Sequence, residues 1–284
     1  MPDNLIQEFS VGSFRFWHVQ IGTLRLDGGA MFGVVPKTLW SRTYPADELN
    51  RITLGTNVLF FEGNGTAGII DNGTGDKDSD KFKNIYEIQW LGFPWRDLPI
   101  RMADVKWMLL THLHFDHCGG STRRENGTVV PTFSSARHVV HKTEFDDATH
   151  SNERSQASYL PDNFIPLQKA NLLTLLEGDD VEIAKGIRAL RTPGHTRGHV
   201  IYTFDTGAGI VAYLADFMPT TRHVGLPYIM AYDLYPVESL ATRKRLYPRM
   251  LAENWLCVFE HDDTPRAGYL RPKGRDYTIE PFYG

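Results

Sequence analysis

Short apolar runs, each closed by glycine or a polar turn, recur along this chain and predict strands more often than helices. Phe14, Phe16, Trp17, Val19 and Ile21 lead to Gly22 and Leu24-Arg25-Leu26, and Asp27-Gly28-Gly29 signals a turn. The apolar stretch Ala30 to Val35 reads as a further strand ending at Pro36. Ile52 to Phe61 predicts a strand, Gly63-Asn64-Gly65-Thr66 a tight hairpin turn, and Ala67 to Ile70 the return. Val105 to Leu110 and Arg137 to His141 read as strands, and Val181 to Leu190 as a hairpin around Gly186. Val200 to Phe204 and Ile210 to Leu214 form a strand pair, and Trp255 to Phe259 reads as the last strand. Helical spacing is expected over Lys81 to Leu91, from Thr143 onward, and over Glu238 to Glu253, where Leu240, Leu246 and Leu251 recur. Residues 148–170 are polar, hold Pro161 and Pro166, and read as a lid or insertion.

Many strands, few helices and polar loops at strand ends make a β-rich core with one edge on which loops converge. The densest chemistry lies on such a loop. Thr111-His112-Leu113-His114-Phe115-Asp116-His117-Cys118-Gly119-Gly120 directly follows an apolar run. Three imidazoles and a carboxylate at this density suit a borderline divalent metal. Left without a metal they would be costly to desolvate together. Gly119-Gly120 permits close backbone approach. Three further candidates end strands or sit in glycine turns: His195, Asp216 and His261.

Composition removes other classes of function. The formal net charge of −4 and the absence of a basic block argue against nucleic acid. No apolar run is long enough for a membrane span, and Met1 to Glu8 lacks the basic and apolar regions of a signal peptide, so a cytoplasmic protein is expected. Two cysteines make no disulfide framework; Cys118 reads as a small buried residue beside the ligands and Cys257 as core.

His112-x-His114-x-Asp116-His117, His195 in Thr-Pro-Gly-His-Thr, Asp216 after a strand and His261 after a later one together resemble the metallo-β-lactamase superfamily, and most closely its lactonase and organophosphate-hydrolase members. The resemblance runs from roughly residue 20 to 265. It implies one hydrolase domain over residues 1–284, with an α+β, four-layer αββα sandwich and metals at one edge of two sheets. It further implies that His112, His114 and His195 hold one metal, that Asp116, His117 and His261 hold the other, and that Asp216 bridges them. The expected cofactor is two divalent ions, zinc by default, with manganese, iron or cobalt fitting the same ligands. The expected reaction is hydrolysis of a small-molecule ester, lactone or organophosphate. A water shared by two cations loses its proton near neutral pH and attacks, and Asp116 passes a proton to the leaving group.

One position departs from the lactonases. They carry a tyrosine three residues after the bridging aspartate, where this chain has Pro219. A substrate wall is therefore expected from Met31, Phe32, Trp40 and Phe217, with His223 or Tyr228 in the missing role. His199 is expected to be structural, and Arg243-Lys244-Arg245 to form a solvated helix face. A homodimer is expected from the resemblance and from aromatic residues near the N-terminus that read as exposed. Two other enzyme readings use similar ligands: a thioesterase like glyoxalase II, which lacks support in a C-terminal basic cluster, and a mononuclear iron oxygenase, which needs only two histidines and a carboxylate.

Overall fold

The computed structural model describes residues 5–264 and 266–283. Two mixed sheets lie face to face. The first orders the strands Ile6–Val11, Phe14–Asp27, Arg51–Gly63, Thr66–Ile70, Trp107–Leu109, Arg137–His141 and Leu173–Leu176, with Gln89–Trp90 paired beside the long second strand. The second orders Asp180–Ala184, Ile187–Arg191, Val200–Asp205, Ile210–Tyr213, Leu256–Phe259, Arg266–Lys273 and Asp276–Phe282.

Burial on both faces explains why so many strands read as continuous apolar runs. Phe14, Phe16, Leu59 and Phe61 point inward from the first sheet and meet Tyr202, Phe204, Val211, Tyr213 and Val258 of the second. The alternate residues Trp17, Val19, Ile21, Val58 and Phe60 face outward, where Phe145, Ala148 and Phe164 cover them. On the far side, Ile201, Ala212, Leu214 and Cys257 pack under Leu246, Tyr247 and Met250 of the helix Pro236–Ala252. Helix, sheet, sheet, helix is the expected four-layer order. The period of two in each strand sends one set of side chains to each core.

Four expectations need correction. The helix read over Lys81 to Leu91 ends at Tyr86, where Glu87 turns into a left-handed cap, and Gln89–Trp90 pairs as a short strand instead. Ala30 to Val35 is not a strand: Gly28–Phe32 forms a short helix, because the Asp27 carboxylate caps the Ala30 N–H and the strand before it runs unbroken from Phe14 to Asp27. Leu256–Phe259 is not the last strand, since a hairpin of Arg266–Lys273 and Asp276–Phe282 extends the sheet beyond it. Phe14, Phe16 and Trp17 are buried in the two cores, so the N-terminal aromatics give no exposed face. Among the described residues, no helix is long and apolar enough to cross a membrane.

Candidate metal centre

Each of the seven sequence-predicted ligands lies just beyond the C-terminal end of a strand. Trp107–Leu109 delivers His112 and His114, and the short helix Phe115–Cys118 turns Asp116 and His117 back toward them. Ile187–Arg191 is followed by the turn holding His195, Ile210–Tyr213 by Asp216, and Leu256–Phe259 by His261. The first loop bends this tightly because two glycines let it lie on its neighbour. A Cβ on Gly119 would stand 2.1 Å from the Thr74 carbonyl oxygen, and one on Gly120 2.2 Å from that of Asn72.

The ligand atoms fall into two groups: His112, His114, His195 and Asp216, and then Asp116, His117 and His261. Asp216 touches both. Its Oδ2 lies 2.9 Å from His195 Nε2 and 3.7 Å from His112 Nε2, while its Oδ1 lies 3.3 Å from His261 Nε2. Ala215 before it holds a left-handed φ of 42°, a conformation an alanine keeps only when its surroundings dictate it.

The outer ring nitrogens are tied down. His195 Nδ1 donates to Asp233 Oδ1 at 3.0 Å, and Ser239 holds that carboxylate in turn. His261 Nδ1 donates to the Gly55 carbonyl at 2.8 Å. His117 Nδ1 lies 3.0 Å from Asp71 and 2.9 Å from Glu260. Asp71 also accepts from Thr111, through its N–H and its hydroxyl. With the outer nitrogens donating, the Nε2 atoms of these three rings present lone pairs inward.

Those inward atoms face one another. His195 Nε2 lies 3.0 Å from His114 Nδ1, and His261 Nε2 3.2 Å from His117 Nε2. His112 Nε2 and Asp216 Oδ1 are buried without a hydrogen-bond partner. Opposed nitrogens need a proton or a cation between them, and the protonation of the site follows that demand. Burial opposes a charge on His195 and on His261, yet Asp216 outweighs it and pushes them up to about 10 and about 9. Burial would raise the Asp216 carboxyl, but His195 and His117 hold it well below the ordinary range. Burial and neighbouring imidazoles keep His112 and His114 well below theirs. A buried set of nitrogens and carboxylates that draws positive charge to its centre fits a pair of divalent ions.

His114, Asp116, His195, Asp216 and His261 open onto a cavity of about 300 Å³; His112 and His117 lie beneath it. Met31 lines this cavity as expected, but Phe32, Trp40, Phe217, His223 and Tyr228 do not. Phe32 stacks between Trp40 and His223, with ring centroids 5.1 and 4.5 Å away, and Tyr228 packs against its edge. His223 Nε2 donates to the Met31 carbonyl, which makes this stack a pillar behind the wall. Phe217 is in the core under the helix Pro236–Ala252. The wall is made instead by residues that sequence reasoning missed: Tyr86, Phe115, Met230, Tyr232 and Leu234. No periodic pattern marks them, because most lie in loops. The segment 148–170 contributes Arg154, Ser155 and Ser158 and is pinned by bonds from Arg154 to the Ala231 carbonyl and from Phe115 N to the Ser158 carbonyl. The Pro219 carbonyl accepts from His261 N, so that position braces a ligand loop. His199 joins neither group, and its Nδ1 bonds Thr192. Cys118 and Cys257 are buried and free, as expected. Asp71, Asp233 and Glu260 also went unnoticed, although Asp71 ends a strand as Asp216 does and Glu260 adjoins His261.

Two sheets with a histidine and aspartate cluster at their shared edge define a metallohydrolase-like fold, and the chain belongs to the metallo-beta-lactamase superfamily, which matches residues 51–261. An N-acyl homoserine lactonase from a Bacillus species is 31% identical over 169 residues, 58% of this chain and 59% of that protein. The chain thus matches about six tenths of the length of such curated relatives. A probable metal-dependent hydrolase from Staphylococcus aureus is 31% identical and superposes with a TM-score of 0.84 over 91% of this chain and 94% of its own. AidC, a dizinc quorum-quenching lactonase bound to its product, shares the fold at 18% identity, with a TM-score of 0.80 over 99% of each chain.

Proposed function

We propose that this protein is a dinuclear metal-dependent hydrolase of small esters or lactones. The observation that carries the reading is the floor of the cavity, where Asp216 stands between two buried groups of candidate ligands, 2.9 Å from His195 and 3.3 Å from His261, and both groups border the space a substrate would fill. His112, His114 and His195 would hold one ion, and Asp116, His117 and His261 the other. Bound there, the ions supply Lewis acidity for a shared water and for the scissile carbonyl. Asp216 fixes the separation of the two groups and offsets part of their charge. Asp116, on the cavity wall, is placed to take a proton and return it to the leaving oxygen. Met31, Leu54, Met230 and Leu234 exclude water and favour an apolar acyl chain or ring. The similarity to N-acyl homoserine lactonases favours a lactone among the esters. Tyr86 and Tyr232 are the phenols that line the cavity, in place of the one absent at Pro219.

Elemental analysis of the purified protein should give close to two ions per chain, with one iron and no zinc as the contrary result. Initial rates on an N-acyl homoserine lactone, an aryl ester, a phosphotriester and a glutathione thioester should rank the lactone or aryl ester first. His112→Ala and Asp216→Ala should each lower kcat/KM by a thousandfold or more, on the order of 4 kcal/mol of transition-state stabilisation. Wild-type rates in the Asp216 variant would remove its bridging role.

A further inference from the structure

Glu144 belongs to neither ligand group, yet its fully buried carboxylate touches both stretches of chain that carry the first one. Oε1 accepts from the Leu113 N–H at 3.0 Å, the peptide between His112 and His114. Oε2 accepts from the Thr196 hydroxyl at 2.5 Å, the residue after His195. Oε1 also accepts from Tyr159 OH at 2.9 Å, and the Tyr159 ring lies 4.8 Å from that of His114. The second loop packs so closely on this helix that a Cβ on Gly198 would stand 2.2 Å from Glu144 N.

A lone buried carboxylate is costly unless its lone pairs are filled. Here three donors from three separate segments fill them, and no cationic side chain pairs with it among the described residues. A purely apolar contact would join the same helix to the same loops without that cost. What the carboxylate adds is direction: one oxygen fixes the Leu113 N–H together with the Tyr159 hydroxyl, and the other fixes the Thr196 hydroxyl. The two loops come from different sheets, 81 residues apart between His114 and His195. We propose that Glu144 is a positioning residue that sets His112 and His114 against His195, and thereby the affinity of that group for its ion. This rests on the two-ion reading above.

Cobalt(II) is the probe, titrated into metal-free protein against a competing chelator, with the visible spectrum recorded at each step. Wild type should take up two ions. Glu144→Ala and Thr196→Val should weaken one binding step by roughly tenfold to a hundredfold and shift the spectrum of that step, leaving the other in place. Glu144→Gln, which keeps the acceptor for Leu113 and Tyr159, should restore much of the affinity. Melting of the metal-free proteins separates this from general loosening. Both steps equal to wild type in Thr196→Val, or both weakened together in step with the melting temperature, would overturn the proposal. Thr196→Val decides the matter should Glu144→Ala fail to fold. A wild type that takes up no cobalt overturns the two-ion reading and this inference together, whereas two ions in wild type with unaltered variants sinks only the inference.

Discussion

An imidazole buried in an apolar sheet with no carboxylate to stabilise its charged form becomes an acid-sensitive point. His138 lies inside the strand Arg137–His141, and burial holds it down to about 4; burial likewise keeps His18, on the long second strand, at about 3. Below pH 6.5 the unfolded chain takes up protons that these folded imidazoles refuse, so stability falls as the pH drops from about 6.5 toward about 4. His138→Leu should flatten that limb by about 3 kcal/mol at pH 4, read from urea midpoints between pH 4 and 7, with little change above pH 7. The same contrast explains what was legible residue by residue. Histidines inside strands are structural, and those just past strand ends converge on the site. Of the seven candidate ligands, the dense first loop offered four, and position at a strand end or glycine turn offered His195, Asp216 and His261. The cavity wall could not, because an aromatic such as Phe32 has the same pattern whether it lines a cavity or supports the residue that does.

At the level of elements, the helix Pro236–Ala252 carries the clearest misreading. The run Arg243-Lys244-Arg245 suggests a solvated face, but Arg243 is 1% exposed. Its position with Ser239, Leu246 and Met250 at helical spacing was the available signal, since those residues form the buried stripe. The guanidinium donates to the carbonyls of Phe217, His223, Gly225 and Tyr228, and so gathers the loop that leaves Asp216. Arg243→Met removes these donors and leaves buried carbonyls unfilled. A loss of about 3 kcal/mol or more is expected, seen as a lower melting temperature, with Arg245→Met, on the exposed face, changing little. Strand positions were legible wherever both faces are buried. The hairpins Thr122–Glu125 with Thr128–Pro131, and Arg266–Lys273 with Asp276–Phe282, were not, because exposed polar residues interrupt them.

Across the whole molecule, His112 to His117 hang from one sheet and His195, Asp216 and His261 from the other. Tyr202 and Tyr213 stitch the sheets together near that edge, donating to the Leu110 and Asn57 carbonyls. The stitching has a consequence in time. Candidate ligands such as His112 and His261, nearly 150 residues apart, cannot meet until the sheets have docked, so a partly folded chain offers only the incomplete local set of the first loop. Zinc should then leave the refolding rate almost unchanged and slow unfolding several-fold, a split that stopped-flow mixing with and without the ion can measure. An ion that arrives last would act as a latch, lengthening the stay in the fold without guiding the chain into it.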